Sequence, residues 1–505
     1  MREAFSKGGH IAMRRTQGRR GVTIIITAML LTIAIPLVGL AVDAGLMYST
    51  KAKIQSAADA ASMAAARGLS VGMTLADQAN HSRQRAREYF EANFPEGTAG
   101  ATIDSVNVDV TENTAHTRSV KVSVSVKAPT YFMRYLGWGA GPSGVKVSSI
   151  GETSRRDVNI MLVLDRSGSL QTAGACDDVE SASILFVKMF ANKRDRLGLA
   201  TFDGSARVDY PATKNFKDSP ELVAEIDKLY PGGCLGFTGS AHGIWQGYQQ
   251  IVANAEPGAL NILVFFTDGR PNTLTAEWPV KTVVTTTSPT AKSRCYDWAA
   301  GKRSTELGWN PVAQKYIGWV SNGGNGPKAP LANPIPVGSE TNVVTTPKGF
   351  TGPSPVAANE DCYFRSSSSD GYRDIAYLPD TDVNGTSIFG WQPVQTYPGG
   401  HPYAGKAVAG NTTAGENASI NALDNAAKRI RARALDPAVD VLVYSIGLGN
   451  VGDEQHELLR RVANDKLSSS FDSGAPEGKY VYAPTGDDLN AAFSRIAAEI
   501  LRFSK

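Results

Sequence analysis

An aspartate and two serines stand together at Asp165-Arg166-Ser167-Gly168-Ser169. The run leading into them, Asp157–Leu164 (DVNIMLVL), reads as an apolar strand of the kind buried on both faces of a parallel sheet. Asp-x-Ser-x-Ser therefore falls at the carboxyl edge of a strand, where open α/β sheets bind their ligands. Three other motifs compete for chemistry, and each fails on context. Gly447-Leu448-Gly449-Asn450-Val451-Gly452 spells a dinucleotide fingerprint between a strand and a helix. The strand that follows it, KYVYA, lacks the ribose-binding acid such a fold requires. Gly400-His401-Pro402-Tyr403-Ala404-Gly405-Lys406-Ala407 approaches a phosphate loop, but Ala407 stands where a hydroxyl must hold Mg²⁺ and no strand precedes it. Gly68-Leu69-Ser70-Val71-Gly72 spells a nucleophile elbow at the end of an Ala-rich helix, without the strand-turn-helix strain that activates the serine. With six His and no H-E-x-x-H, no catalytic constellation survives, and a non-enzymatic protein is expected.

The elements that must position Asp165 alternate along the second half of the chain. Strands are expected at Arg196–Phe202, Asn261–Phe266, Val439–Ile446 and Lys479–Ala483. Helices are expected at Pro220–Tyr230, Ser240–Ala253, Ala418–Ala434, Glu454–Ala463 and Asp487–Leu501. The alternation reads as a doubly wound α/β domain.

The first half is organised differently. Val22–Val42 is 21 consecutive uncharged residues, enough for a helix to span a bilayer core. Arg2, Lys7, Arg14, Arg15, Arg19 and Arg20 precede it against the single acid Glu3, which keeps the N-terminus cytoplasmic and exports everything after Val42. No A-x-A site closes the run, so an uncleaved anchor is expected. The Ala-rich, proline-free stretch 43–69 continues the helix past the membrane, and its small residues suit close packing against other helices. A further helix at Ala76–Asn93 and strands at Ile103–Val110, Ser119–Val126 and Val145–Ile150 complete a small α+β region.

Two resemblances follow from these residues. Arg19–Leu69, above all GLAVDAG and QSAADAA, resembles the N-terminus of the TadE/TadG-like proteins of Flp (tight-adherence) pili, which implies a pseudopilin-like helix followed by a small exported sheet. Processed relatives carry an acid five residues after the cut; Ile26 stands at that place, so the resemblance does not imply cleavage after Gly21. Asp165, Ser167 and Ser169 resemble the metal-ion-dependent adhesion site of von Willebrand factor type A domains. That family adds a Thr in a second loop and an Asp after a central strand, matched by Thr238 in GFTG and Asp268 in FFTDG. By this resemblance Ser167, Ser169 and Thr238 hold the ion directly or nearly so, Asp165 and Asp268 act largely through water, and one position stays open for a partner's carboxylate. Two carboxylates and three hydroxyls are an all-oxygen, hard set, suited to Mg²⁺, with Mn²⁺ or Ca²⁺ also accommodated, and unsuited to zinc or iron.

The expected organisation is a basic cytoplasmic segment 1–21, a membrane helix 22–42, a pseudopilin-like region 43–150 and a type A domain 151–505. That domain is interrupted by an insertion, 271–416, where a short connection would suffice. The insertion holds Trp278, Trp298, Trp309, Trp319 and Trp391, five of the seven Trp, and clusters such as TTTSPT and RSSSSD. Aromatic enrichment argues for a folded, contact-making unit over a spacer. Leaving the sheet just after Asp268, it is expected to overhang the ion and to be removable without unfolding the domain. The four Cys suit an oxidising compartment. Because the two type A loops converge on one ion, Cys176–Cys234 with Cys295–Cys362 is favoured among three connectivities.

A formal charge of +3 over 505 residues gives no reason to expect a nucleic-acid partner. The function expected is a membrane-anchored pseudopilin-like component of a Flp/Tad pilus, its helix packed with pilus subunits or other pseudopilins. Its type A domain would mediate metal-dependent adhesion at the pilus tip, to a protein or surface ligand bearing a carboxylate. The alternative is a factor that stays in the bacterial inner membrane and uses the type A domain to hold another pilus component.

Overall fold

The computed structural model describes residues 20–133, 144–229, 234–279, 315–321, 377–400, 404–408, 412–450 and 452–503. The basic residues before Arg20, and Cys295, Cys362, Trp298, Trp309 and the TTTSPT and RSSSSD clusters of the insertion, lie outside these ranges. The chain divides into two compact units. One is Met1–Ala65, Ser82–Val110 and Val120–Thr153; the other is Ala66–His81, Thr111–Ser119 and Ser154–Lys505.

α1 (Arg20–Gly68), all but its last three residues in the first unit, runs 49 residues, about 73 Å at 1.5 Å per residue. Ile24, Leu30, Ile33, Leu37 and Val38 are each at least 60% exposed. Such a surface needs an apolar surrounding, and this stretch is long and apolar enough to cross a membrane. The Ala-rich second half buries Ile54, Ala57, Ala58 and Ala61. With α2 (Leu75–Asn93), the strands β1 (Thr102–Thr114), β2 (Thr117–Ala128) and β3 (Val145–Arg156) follow, paired in the order β1-β2-β3. A Cβ at Gly151 of β3 would come 2.3 Å from the carbonyl oxygen of Ala58, so only glycine lets the strand lie this close to the helix. Gln55 Nε2 donates to the Ile150 carbonyl (2.9 Å), and the hydroxyls of Ser62 and Thr153 meet at 2.8 Å. The aspartate of GLAVDAG is a clamp: buried Asp43 accepts the backbone N–H groups of Tyr131, Phe132 and Met133 at 2.9, 2.9 and 2.7 Å.

In the second unit, β4 (Val158–Asp165) is buried at all eight positions. The elements after it are α3 (Gly168–Ala173), α4 (Cys176–Lys188), β5 (Arg196–Phe202), β6 (Ala206–Thr213), α5 (Leu222–Asp227), α6 (Ser240–Ala253) and β7 (Leu260–Thr267). Then come β8 (Thr273–Pro279), β9 (Lys315–Ser321), β10 (Tyr377–Leu378), β11 (Ala407–Val408), α7 (Thr412–Arg431), β12 (Val441–Leu448), α8 (Asp453–Ala463), β13 (Lys479–Ala483) and α9 (Leu489–Phe503). The main sheet has the order β13-β12-β7-β4-β5-β6, parallel except for the last strand. Alternate residues of β4 feed two cores. Met161 and Val163 join α6, α7 and α8 on one face, while Ile160, Leu162 and Leu164 join α4, α5 and α9 on the other.

This is the doubly wound fold expected, with three local differences. Helix α4 was not anticipated, although it buries Cys176, Val179, Ala182, Ser183, Phe186 and Val187 at helical spacing. Nor was β6, whose exposed Pro211 can be carried only by an edge strand. The helix expected over Pro220–Tyr230 is limited to the six residues of α5.

The inserted segment brings a larger correction. Leu274, Ala276, Leu378, Ile388 and Ala407 belong to the same core as Met161 and Val163. Asn417, Asn421 and Asn425, spaced by four along α7, donate to the carbonyls of Pro393, Ile388, Gln392, Ser387 and Phe389. Arg461 of α8 lies 4.6 Å from the ring centre of Trp391. The expectation that the whole segment can be cut away therefore fails, because doing so would open the domain's core.

Candidate metal centre

β4 and β7 are parallel neighbours, with Leu164 opposite Phe266, so Asp165 and Thr267-Asp268 emerge side by side. The chain turns from β4 to β5 on one side and later to β7 on the other, the crossover geometry that opens a crevice at the carboxyl edge.

Asp165 is fully buried. Its Oδ1 accepts the Ser167 N–H at 2.7 Å and its Oδ2 accepts the Thr267 hydroxyl at 2.5 Å. Burial, reinforced by the charge of Asp268, pushes its carboxyl well above the usual range. Burial also raises Asp268, against the hydroxyls that favour its ionised form. Ser169 and Ser167 both donate to Asp268 Oδ1, at 2.8 and 3.4 Å, and their own hydroxyls lie 3.0 Å apart. A Cβ at Gly269 would stand 3.4 Å from Ser169 Oγ and 3.5 Å from Thr238 Oγ1, so these two hydroxyls face one place. All five residues singled out in the sequence thus gather at one edge of the sheet.

The donor set fits a hard divalent ion. Two carboxylates that resist ionisation together sit among hydroxyls, and among the described residues no Lys, Arg or His donates to either. Among the described residues no group of three or more His, Cys, Asp or Glu is arranged to hold an ion. Any ion here would depend on the hydroxyls of Ser167, Ser169 and Thr238 as much as on the acids.

Supporting residues hold this geometry, and several were not evident from sequence. Gly168 N–H donates to the Gly236 carbonyl (3.2 Å), tying the first loop to the second. The disulfide Cys176–Cys234, the pairing favoured from sequence, ties the start of α4 to the second loop, and the Cys234 N–H donates to Gln171 Oε1 at 3.1 Å. Asn272 clamps Thr238 in both directions: its Oδ1 accepts the Thr238 N–H (2.8 Å) and its N–H donates to the Thr238 carbonyl (3.1 Å). At the rim, Arg270 pairs with Glu454 (2.7 Å) and more distantly with Glu416 (3.9 Å). Asn272 follows Asp268 by only four residues, and that nearness was the one signal available for it.

Within the glycine-rich run at the end of β12, Gly447 is required by packing. A Cβ at Gly447 would strike Leu459 Cδ1 (2.7 Å) and the Tyr480 hydroxyl (2.8 Å). The helix it precedes opens with Asp453 and Glu454, which repel a phosphate from that N-terminus.

Residues 21–68 match the Flp pilus-assembly TadE/G-like family, and residues 159–294 match the von Willebrand factor type A domain. A TadE/TadG-like N-terminal region is therefore fused to a type A domain in one chain. Among individual proteins, calcium-activated chloride channel regulator 3A-1 of Mus musculus is 30% identical over 121 residues, 24% of this chain. Calcium-activated chloride channel regulator 1 of Bos taurus is 27% identical over 113 residues, 22% of this chain. The chain spans 13% and 12% of the length of these two relatives. Among solved structures, the PilB minor pilin from Streptococcus sanguinis is 13% identical, with TM-score 0.33, covering 81% of this chain and 80% of that one. The von Willebrand factor domain of the type V pili tip protein Mfa5 from Porphyromonas gingivalis is 17% identical, with TM-score 0.33, covering 70% of this chain and 97% of that one.

Proposed function

We propose that a chain joining a TadE/TadG-like helix to a type A domain works as a membrane-anchored, pseudopilin-like pilus component that adheres through a divalent ion. Asp165, Ser167, Ser169, Thr238 and Asp268 hold the ion, for which Mg²⁺ is the best fit. The observation that supports this reading is the convergence of the Ser167, Ser169 and Thr238 hydroxyls with two carboxylates that no cationic side chain among the described residues meets, at the carboxyl edge of β4 and β7. When bound, the ion offers an open coordination position to a carboxylate on the partner. Asp165 organises the first loop through the Ser167 N–H, and Asp268 orients both serine hydroxyls. Arg270 and Glu454 form part of the rim that such a partner meets. α1 anchors the chain in the inner membrane with the N-terminus inside, and its small-residue face packs against pilus subunits or other pseudopilins.

The test is metal-dependent stability of the full chain in detergent. Anything that binds the native state alone stabilises it by mass action, about 2.7 kcal/mol at a hundredfold excess over Kd. After stripping with a chelator, Mg²⁺ is expected to raise the unfolding temperature of the type A domain by several degrees. An unfolding temperature indifferent to Mg²⁺, Mn²⁺ and Ca²⁺ would remove the ion from the account.

A further inference from the structure

Thr238 is carried by the loop that runs into α6, away from the carboxyl ends of β4 and β7 that position Asp165 and Asp268. Part of what fixes that loop comes from the inserted segment. Asn272, one residue before β8, holds both the N–H and the carbonyl of Thr238. On the other side, Gly239 N–H donates to the Asp203 carbonyl at 2.6 Å, and a Cβ at Gly239 would lie 2.8 to 3.1 Å from the Asp203-Gly204 backbone. The Thr238 loop is thus pressed onto the β5–β6 turn with no slack.

One side chain from β9 wedges both of these loops. Trp319, register partner of Thr275 in β8, is 5% exposed. Its rings meet Phe237, the residue before Thr238, at a centroid distance of 5.3 Å. The same indole occupies the space over Gly204, where a Cβ would come within 2.6 Å of Cε2 and Cζ2. An indole buried against two loops is a rigid spacer, and removing it leaves a void that neither loop can fill without moving.

We infer that Trp319 is a positioning residue for the ion site. The β8–β9 hairpin sets the place of Thr238, so the state of the inserted segment and the ion affinity are linked. The inference rests on the adhesion-site reading above and adds its regulation. Linkage is reciprocal: a ligand that displaces the hairpin weakens ion binding, and ion binding favours the seated hairpin by the same factor.

The test uses the full chain in detergent, stripped of metal, with two readouts. Trp319→Ala is expected to weaken Mg²⁺ binding about tenfold by calorimetry, which is about 1.4 kcal/mol. Trp319→Phe should recover most of that loss. In the metal-free protein, hydrogen exchange of residues 234–240 should quicken in Trp319→Ala, while the strands β4 and β7 keep their protection. Gly204→Ala approaches the contact from the other side by pushing the indole out, and it should reproduce both effects if Trp319→Ala proves unstable. Unchanged Mg²⁺ affinity and unchanged loop exchange in both variants would overturn the inference. If the unaltered chain binds no Mg²⁺, Mn²⁺ or Ca²⁺, the adhesion-site reading falls and the linkage to an ion falls with it. Unchanged exchange in that case would refute the hairpin–loop contact as well.

Discussion

Asp165→Ala combined with Ser167→Ala is expected to abolish ion binding and surface attachment while the chain stays folded and in the cell envelope. Asp165 Oδ1 organises the loop through the Ser167 N–H, and Ser167 is one of two hydroxyls directed at Asp268. Losing even an outer partner of a bound metal costs 10–100-fold in affinity, so the pair should cost at least about 100-fold. The folded state loses much less. One buried N–H, that of Ser167, loses its acceptor, a cost of ~1–3 kcal/mol. Thr267 keeps a second acceptor in the Gly269 carbonyl (3.2 Å), and removing one of two neighbouring acids relieves their repulsion. Calorimetry with Mg²⁺, attachment assays and immunoblots of envelope fractions check the three parts. Disappearance of the variant from the envelope would make the loop structural and deprive the adhesion reading of its main support.

Shortening the insertion at the open end of the β8–β9 hairpin is expected to leave a folded, ion-binding domain that attaches poorly. Pro279 and Lys315 are register partners at that end, so an Asn-Gly turn in place of residues 280–314 can close the hairpin directly. The excision spares Leu274, Ala276, Leu378, Ile388 and Ala407, which the core needs, and spares Trp319. It removes Trp298, Trp309 and Cys295, so Cys362→Ser accompanies it to leave no unpaired thiol. A lone ion with one open position accepts almost any carboxylate, so discrimination has to come from a larger surface. Aromatic anchors supply it, at about 2 kcal/mol or more each when they are interface hot spots. Attachment by cells carrying the shortened chain, beside Mg²⁺ affinity of the same protein, measures the effect. Full attachment would move the contact surface elsewhere on the sheet edge.

The parts of the fold legible in the sequence are those with a strong period or a strong run. The apolar strands β4, β7 and β12 and the amphipathic α6 and α8 stand close to where their patterns put them. The five site residues were legible because each sits at a strand end or in a short motif with its neighbours. Other features had no local signature. β6 carries a proline and pairs antiparallel at an edge, which weakens any strand pattern. β10 and β11 are two residues each, too short for a period. The core residues of the insertion are scattered from Leu274 to Ala407, so nothing in the sequence marked them as one surface. Trp319 was conspicuous as an aromatic, but its contact with Phe237 and Gly204 is made by the fold alone.

Attachment of intact, piliated cells through acute chelation and re-addition of Mg²⁺, with protein synthesis blocked, tests the central claim most directly. If Asp165, Ser167, Ser169, Thr238 and Asp268 hold an ion that makes the adhesive contact, attachment falls within minutes of chelation. It then returns on adding Mg²⁺ without new protein. If the type A domain serves only assembly in the inner membrane, pili already built are indifferent to the chelator. Attachment that persists without divalent ions would contradict the account.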